Sequence, residues 1–235
     1  MNQHETGGYV PDAYAQKLRI SGILSGVFLW MFLGLLASAL TAWLTATTEI
    51  MRNFVYGTSY GFVSLIVVEF ILVLFAVPRI WNMSGFAGGA VFFLFAAVNG
   101  MTLSSIFLVY ELGSILWVFL CAAGMFGVMA VYGTLTKNDL TGVGSFLIMG
   151  LFGIIIAGLV NFLLQSETLD VLISFVAIAV FLGLTAYDVQ RIRAMAYESP
   201  DDAADRSIMI LGALSLYMNF INLFLRILRL LGKRR

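Results

Sequence analysis

Residues 208–231 read IMILGALSLYMNFINLFLRILRLL, and this stretch decides how the chain folds. It is long and apolar enough to cross a bilayer. Yet Gly212, Ser215, Asn219, Asn222, Arg226 and Arg229 recur through it at intervals of three or four. At 3.6 residues per turn, these positions fall within roughly 100° of arc. The opposite face is Leu, Ile, Phe and Met. A helix in lipid cannot aim a polar stripe at acyl chains, so the stripe must face other helices or a wet cavity. The helix is therefore expected in the middle of a bundle. A plainer reading lets Gly212 and Ser215 serve close packing and lets the arginines snorkel to the interface.

The rest of the chain supplies the bundle. Hydrophobic residues make up 61% of the 235 and charged residues 11%, against about 25% charged in a soluble domain. Mean hydropathy is +0.98. A spanning helix needs about 20 apolar residues. Ile20–Ala46, Phe54–Val77, Phe86–Tyr110, Ser114–Tyr132, Val143–Leu164, Leu169–Val189 and Ile208–Leu231 qualify. The runs are continuous rather than alternating, which excludes strands. The fold expected is an all-α integral membrane protein: a seven-transmembrane-helix bundle (20–235) behind a polar N-terminal tail (1–19), with the seventh helix central. Pro78-Arg79 is expected to close the second helix. Glu111-Leu112-Gly113 is read as a tight turn, and the acidic stretch from Glu198 to Arg206 as the one sizeable loop.

Several classes fall away on composition. Net charge is zero, so nothing points to nucleic acid. The single cysteine, Cys121, lies in an apolar run and reads as a small buried hydrophobe. The only histidine is His4, so a His/Cys zinc site cannot be assembled. No cofactor is expected beyond a transient calcium ion.

Lys and Arg set the orientation. Lys17, Arg19, Arg79, Lys137, Arg191, Arg193 and Arg206 lie on the side of the tail, and Arg52 on the opposite loops. The N-terminus is therefore expected in the cytoplasm. Seven spans then place Lys233-Arg234-Arg235 outside, against the positive-inside rule. Either the last helix crosses despite its charges or it re-enters and six helices span. Seven is the reading taken.

Ionisable residues inside spans cost about 2.5–3.5 kcal/mol on insertion scales and need a reason. Asp188 ends the sixth run in Thr185-Ala186-Tyr187-Asp188-Val189-Gln190-Arg191. It is either one half of an interfacial pair with Arg191 or a carboxylate in a partly dry site that titrates usefully. Glu69 lies mid-helix in the second run, and Arg226 or Arg229 is its candidate partner. Asn99, Thr102, Ser104 and Ser105 in the third run, with Gly124 and Gly127 in the fourth, read mainly as packing surfaces.

Leu103-Ser104-Ser105-Ile106-Phe107, Ala123-Gly124-Met125-Phe126-Gly127, Gly183-Leu184-Thr185-Ala186-Tyr187-Asp188 and the segment Gly212 to Leu225, taken in this order, resemble the Bax inhibitor-1 family, most closely its bacterial branch. The resemblance covers most of the chain after the tail. It implies a last helix enclosed by the other six, location in a bacterial inner membrane, and a pH-sensitive calcium leak. In the family an aspartate pair on helices six and seven shares a proton and gates the cytoplasmic side. Asp188 matches the first aspartate. Asn219 stands at the second position, and an amide cannot titrate. It can donate to an ionised Asp188, so any pH response is expected weaker than a dyad's or displaced toward acid. Glu69 and Arg79 fit charged positions near the family's gate.

Three functions compete. The first is a calcium or cation leak gated near Asp188 and Asn219, with Asn222, Glu69, Arg79, Arg226 and Arg229 along the pathway and Asp188 as a weak calcium ligand. The second is a non-transporting monomeric regulator that binds a membrane-anchored protease through Met1 to Gln16, as the resemblance suggests for some bacterial members. The third is an intramembrane protease. Tyr187-Asp188 is similar to the first motif of such enzymes, but no span holds the second aspartate in a Gly-x-Gly-Asp setting. An enzyme is therefore not expected.

Overall fold

The computed structural model describes residues 11–58 and 60–235. His4 and most of the expected protease-binding handle, residues 1–10, lie outside them. The described residues hold seven helices long and apolar enough to cross a membrane. They comprise α1 (Pro11–Thr47), a short α2 (Glu49–Tyr56), α3 (Gly61–Ile71), α4 (Gly85–Leu103), α5 (Ser105–Val109), α6 (Leu112–Leu135), α7 (Thr141–Leu164), α8 (Glu167–Glu198) and α9 (Asp202–Leu231). The second span is α3 with its extension to Asn82, and the third is α4 with α5. All seven expected spans are present. α1 starts at Pro11, so helix already includes residues 11–19 of the expected tail.

α9 is the centre. Of its most apolar stretch 61% is buried, against 6% for α7. It packs against α1, α4, α6, α8 and the last turns of the second span, while α7 packs on α8 outside that ring. The enclosure is thus made chiefly by five spans rather than all six. Val27, Phe92 and Val189 are among the buried side chains that pack in one core with Leu216 and Leu223 of α9.

Two spans are irregular for legible reasons. Pro78 lacks an N–H, and its ring crowds the carbonyl four residues earlier. The second span accordingly widens to a π-turn at Leu72–Ala76, then tightens to a 3₁₀ helix over Val77–Asn82. It ends at Asn82 rather than at Pro78. The third span breaks at Ser104, whose hydroxyl donates back to Met101 O (2.5 Å) and contacts the Tyr56 hydroxyl at 2.8 Å.

The expected loop from Glu198 to Arg206 is a correction. α8 runs to Glu198 and α9 begins at Asp202, so three residues join them. Asp201 caps α9 by accepting from Ala204 N–H at 2.8 Å, and Asp202 and Asp205 occupy the first turn, where negative charge complements the helix dipole. The acidity that suggested a loop is an N-terminal helix signal. Arg19 grips Asp205 through both carboxylate oxygens (2.8 and 2.9 Å) and donates to Ser199 O at 3.1 Å, fastening the start of α1 to the start of α9. Cys121 is exposed on the outer surface of α6 rather than buried.

Small residues sort differently from expectation. A Cβ added at Gly124 or Gly127 would meet nothing within 4 Å, so neither mediates close packing. At Gly100 it would meet the Ser38 backbone and Thr41 Oγ1, and at Gly133 the Ala186 backbone. These two glycines let α4 approach α1 and α6 approach α8. Gly100→Val is expected to destabilise the protein by about 1–3 kcal/mol through overpacking, whereas Gly124→Ala changes stability by about 0.5 kcal/mol or less. Thermal unfolding in detergent micelles compares them; equal effects would contradict the assigned packing.

Candidate functional site

The site grows from a hydrogen-bonding deficit. α8 carries Asp188 into the bundle with only 8% of its surface exposed, and α9 presents Asn219 with 7% exposed. Oδ2 of Asp188 accepts from Ser215 Oγ–H at 2.6 Å and from Asn219 Nδ2–H at 2.8 Å. Ser215 and Asn219 are one turn apart, so both donors converge on the same oxygen. Charge-assisted bonds of this kind are the strong ones, and they matter most where water is excluded. Arg191 is exposed, so the sixth-helix aspartate is held by α9 rather than by a neighbour on its own helix. Thr185 is buried and donates to Phe181 O at 2.8 Å.

A second polar cluster lies on a different face of α9. Tyr217 is fully buried. Its hydroxyl donates to Asn99 Oδ1 at 2.9 Å and meets Ser38 Oγ at 2.7 Å, while Ser38 Oγ also lies 2.7 Å from Ala96 O. Its ring stands edge-on to Phe92 and Phe95, with centroids 6.0 Å away in each case. One turn beyond Asn99 on α4, Thr102 donates to Glu69 Oε1 at 2.7 Å. Tyr217 thus ties α9 to Ser38 of α1 and Asn99 of α4, and Thr102 ties α4 to Glu69 of α3. Tyr217 escapes a sequence reading because it falls on the apparently apolar side of α9. Its only signal is a hydroxyl, amid apolar neighbours, that needs a partner once buried.

The remaining candidates separate. Neither expected arginine partners Glu69: Thr102 does, Arg229 pairs with Asp170, and Arg226 lines a cavity with Asn222 near the far end of α9. Asn222 donates to Met218 O at 2.8 Å within its own helix. Arg79 is exposed and donates to Phe75 O, and among the described residues no hydrogen bond or ion pair joins it to Asp188. Among the described residues no three His, Cys, Asp or Glu side chains gather into a metal site. A groove of about 1120 Å³ between α1, α6 and α8 opens at the Asp188 end of the bundle, but its lining includes neither Asp188 nor Asn219. Gln190 and Arg193 fasten the α6–α7 connection there, donating to Asn138 O and Thr134 O, each at 2.8 Å.

An enclosed helix hydrogen-bonded to a buried carboxylate, within seven apolar spans, defines a multi-pass membrane protein built around a polar centre. Residues 20–235 match the family described as inhibitor of apoptosis-promoting Bax1. The chain belongs to the Bax inhibitor-1 family. It is 42% identical over 214 residues to the inner membrane protein YbhL of Escherichia coli (strain K12), covering 90% of this chain and 92% of that one. An uncharacterized protein of Borreliella burgdorferi is 44% identical over 213 residues, again 90% of this chain and 92% of that protein. The uncharacterized protein RP147 of Rickettsia prowazekii is 36% identical over 209 residues, covering 89% and 88%.

Tyr217→Phe is expected to cost about 1–2 kcal/mol, since it removes the donor to Asn99 Oδ1 in the interior. Tyr132→Phe, at a half-exposed position, is expected to cost about 0.5 kcal/mol or less. Thermal unfolding of both variants in micelles checks the network; indistinguishable midpoints would contradict it.

Proposed function

We propose that this protein is a pH-sensitive cation leak, with calcium as the tested ion, gated where α8 meets α9. The observation that carries the reading is a carboxylate, Asp188, sealed inside a membrane bundle and held by Ser215 and Asn219. Intramembrane ionisable groups that face a bundle interior mark ion and proton pathways in other membrane proteins. The family resemblance supports the same function, and the E. coli relative's name supports the inner membrane as location. The Lys and Arg distribution supports a cytoplasmic N-terminus.

In this reading the described conformation is closed. Among the described residues, the groove beside α1 has neither Asp188 nor Asn219 in its lining. Conduction requires α8 and α9 to part at the Asp188 end, and protonation of Asp188 weakens its hold on the two donors. The second cluster, with Glu69 as its carboxylate, then lines the deeper part of the path. Any calcium ion passes through rather than residing, because Asp188 offers one carboxylate where calcium prefers six to eight oxygens. The protein acts as a monomer and carries out no bond-making chemistry.

Purified protein in liposomes loaded with a calcium dye tests this directly. Wild type is expected to pass calcium with a pH-dependent rate that Asp188→Ala abolishes. Asn219→Asp restores a carboxylate pair and is expected to move the midpoint toward neutral pH, because two adjacent carboxylates cannot both ionise cheaply. Flux that is absent at every pH, or unchanged in Asp188→Ala, would overturn the reading.

A further inference from the structure

The end of the bundle away from the start of α1 holds more positive charge than its carboxylates neutralise. Arg226, Arg229, Lys233, Arg234 and Arg235 all lie in the last ten residues. Two ion pairs form there: Arg229 with Asp170, and Lys233 with Glu111 at 2.9 Å. Among the described residues no carboxylate pairs with Arg226 or Arg234. Arg226 is nevertheless half-buried. Asp170 attracts Arg226 but pairs with Arg229, so one carboxylate serves two guanidiniums and a further anion is expected to complete the site.

Those surroundings have a defined shape. A cavity of about 330 Å³ lies between the end of the third span and α9, lined by Tyr110, Asn222, Arg226, Arg229 and Arg234 together with the apolar Ile106 and Leu225. Arg234 is held at the cavity by its backbone rather than left on a loose tail. Glu111 N–H donates to Lys233 O and Arg235 N–H to Val109 O, both at 3.0 Å, and Lys233 N–H donates to Ser114 Oγ at 2.9 Å. Gly232 permits the fold-over, since a Cβ there would come within 2.7 Å of the Tyr110 ring. Arg226 precedes the last helical residue by five positions, about 7.5 Å along the axis. With the helix end at the outer edge of the headgroup layer, that depth would bring Arg226 to where phosphates meet acyl chains, given a hydrocarbon core of about 30 Å.

We infer that this cavity binds the phosphate of an anionic phospholipid, with Arg226 and Arg234 as its ion-pair partners and the Ile106–Leu225 wall receiving the start of an acyl chain. Guanidinium forks match phosphate oxygens in geometry as well as charge. A lipid rather than a free anion is favoured by that apolar wall and by the depth. The inference is independent of ion conduction and of which leaflet this end faces. Were this end outside, bound phosphate would also neutralise a basic helix end that the positive-inside rule disfavours.

The test uses the full-length protein in detergent, titrated with palmitoyl-oleoyl phosphatidylglycerol or with phosphatidylcholine of the same chains, and bound lipid is read by native mass spectrometry. Wild type is expected to retain phosphatidylglycerol preferentially. Arg226→Gln and Arg234→Gln should each weaken retention about fivefold, and the double variant should lose the preference. Lys17→Gln with Lys137→Gln, at the opposite end, should leave it intact. Arg234 is exposed beyond α9, so its variant serves even if Arg226→Gln misfolds. Unchanged preference in Arg234→Gln, loss only in the Lys17/Lys137 variant, or full displacement by inorganic phosphate at equal concentration would overturn the proposal.

Discussion

Inside hydrocarbon a carboxylate has no water to turn to, and Oδ2 of Asp188 is accordingly committed to Ser215 and Asn219. That commitment fixes the rotation of α9 about its axis. With Ser215 and Asn219 turned to α8, Tyr217 falls toward α1 and α4, where Ser38 and Asn99 receive it. The same rotation sends Arg226 and Arg229 to the end cavity. One helix thus satisfies polar partners on several sides, which is why it must be central and why a lipid-facing position is closed to it.

Closure at the Asp188 end rests on different physics from closure in the middle. The Arg19–Asp205 pair, the capped start of α9 and the three-residue join to α8 draw the helix ends together. Deeper in, the Tyr217 cluster combines neutral hydrogen bonds with edge-on aromatic packing. A change in the charge of Asp188 acts on its own two bonds first and leaves the Tyr217 cluster in place. In the proposed leak, the α8–α9 contact would therefore be the part to move.

Much of this was legible in the sequence. Continuous apolar runs located all seven spans, and the stripe from Gly212 to Arg229 placed the last of them at the centre, because both follow from what lipid forbids. Asp188 and Asn219 were readable as partners through their positions in the family pattern. The rest depended on contacts between spans. Tyr217, Asn99 and Ser38 are single polar groups on three helices, and no spacing within one helix relates them. The choice of Thr102 over an arginine as the partner of Glu69 likewise reflects which helix lies beside α3. The acidic segment after Glu198 misled because helix-capping aspartates and loop aspartates look alike until the backbone is traced.

The account stands on the bond between Asp188 and α9, and a double-mutant cycle measures that bond alone. Asp188→Ala, Asn219→Ala and the double variant would be unfolded in micelles beside wild type at neutral pH. A coupling energy of about 0.6–1.7 kcal/mol, the range found for hydrogen bonds between membrane helices, is the result expected. Strictly additive losses would show that the two residues do not share a hydrogen bond and would contradict the placement of α9 on which the structure depends.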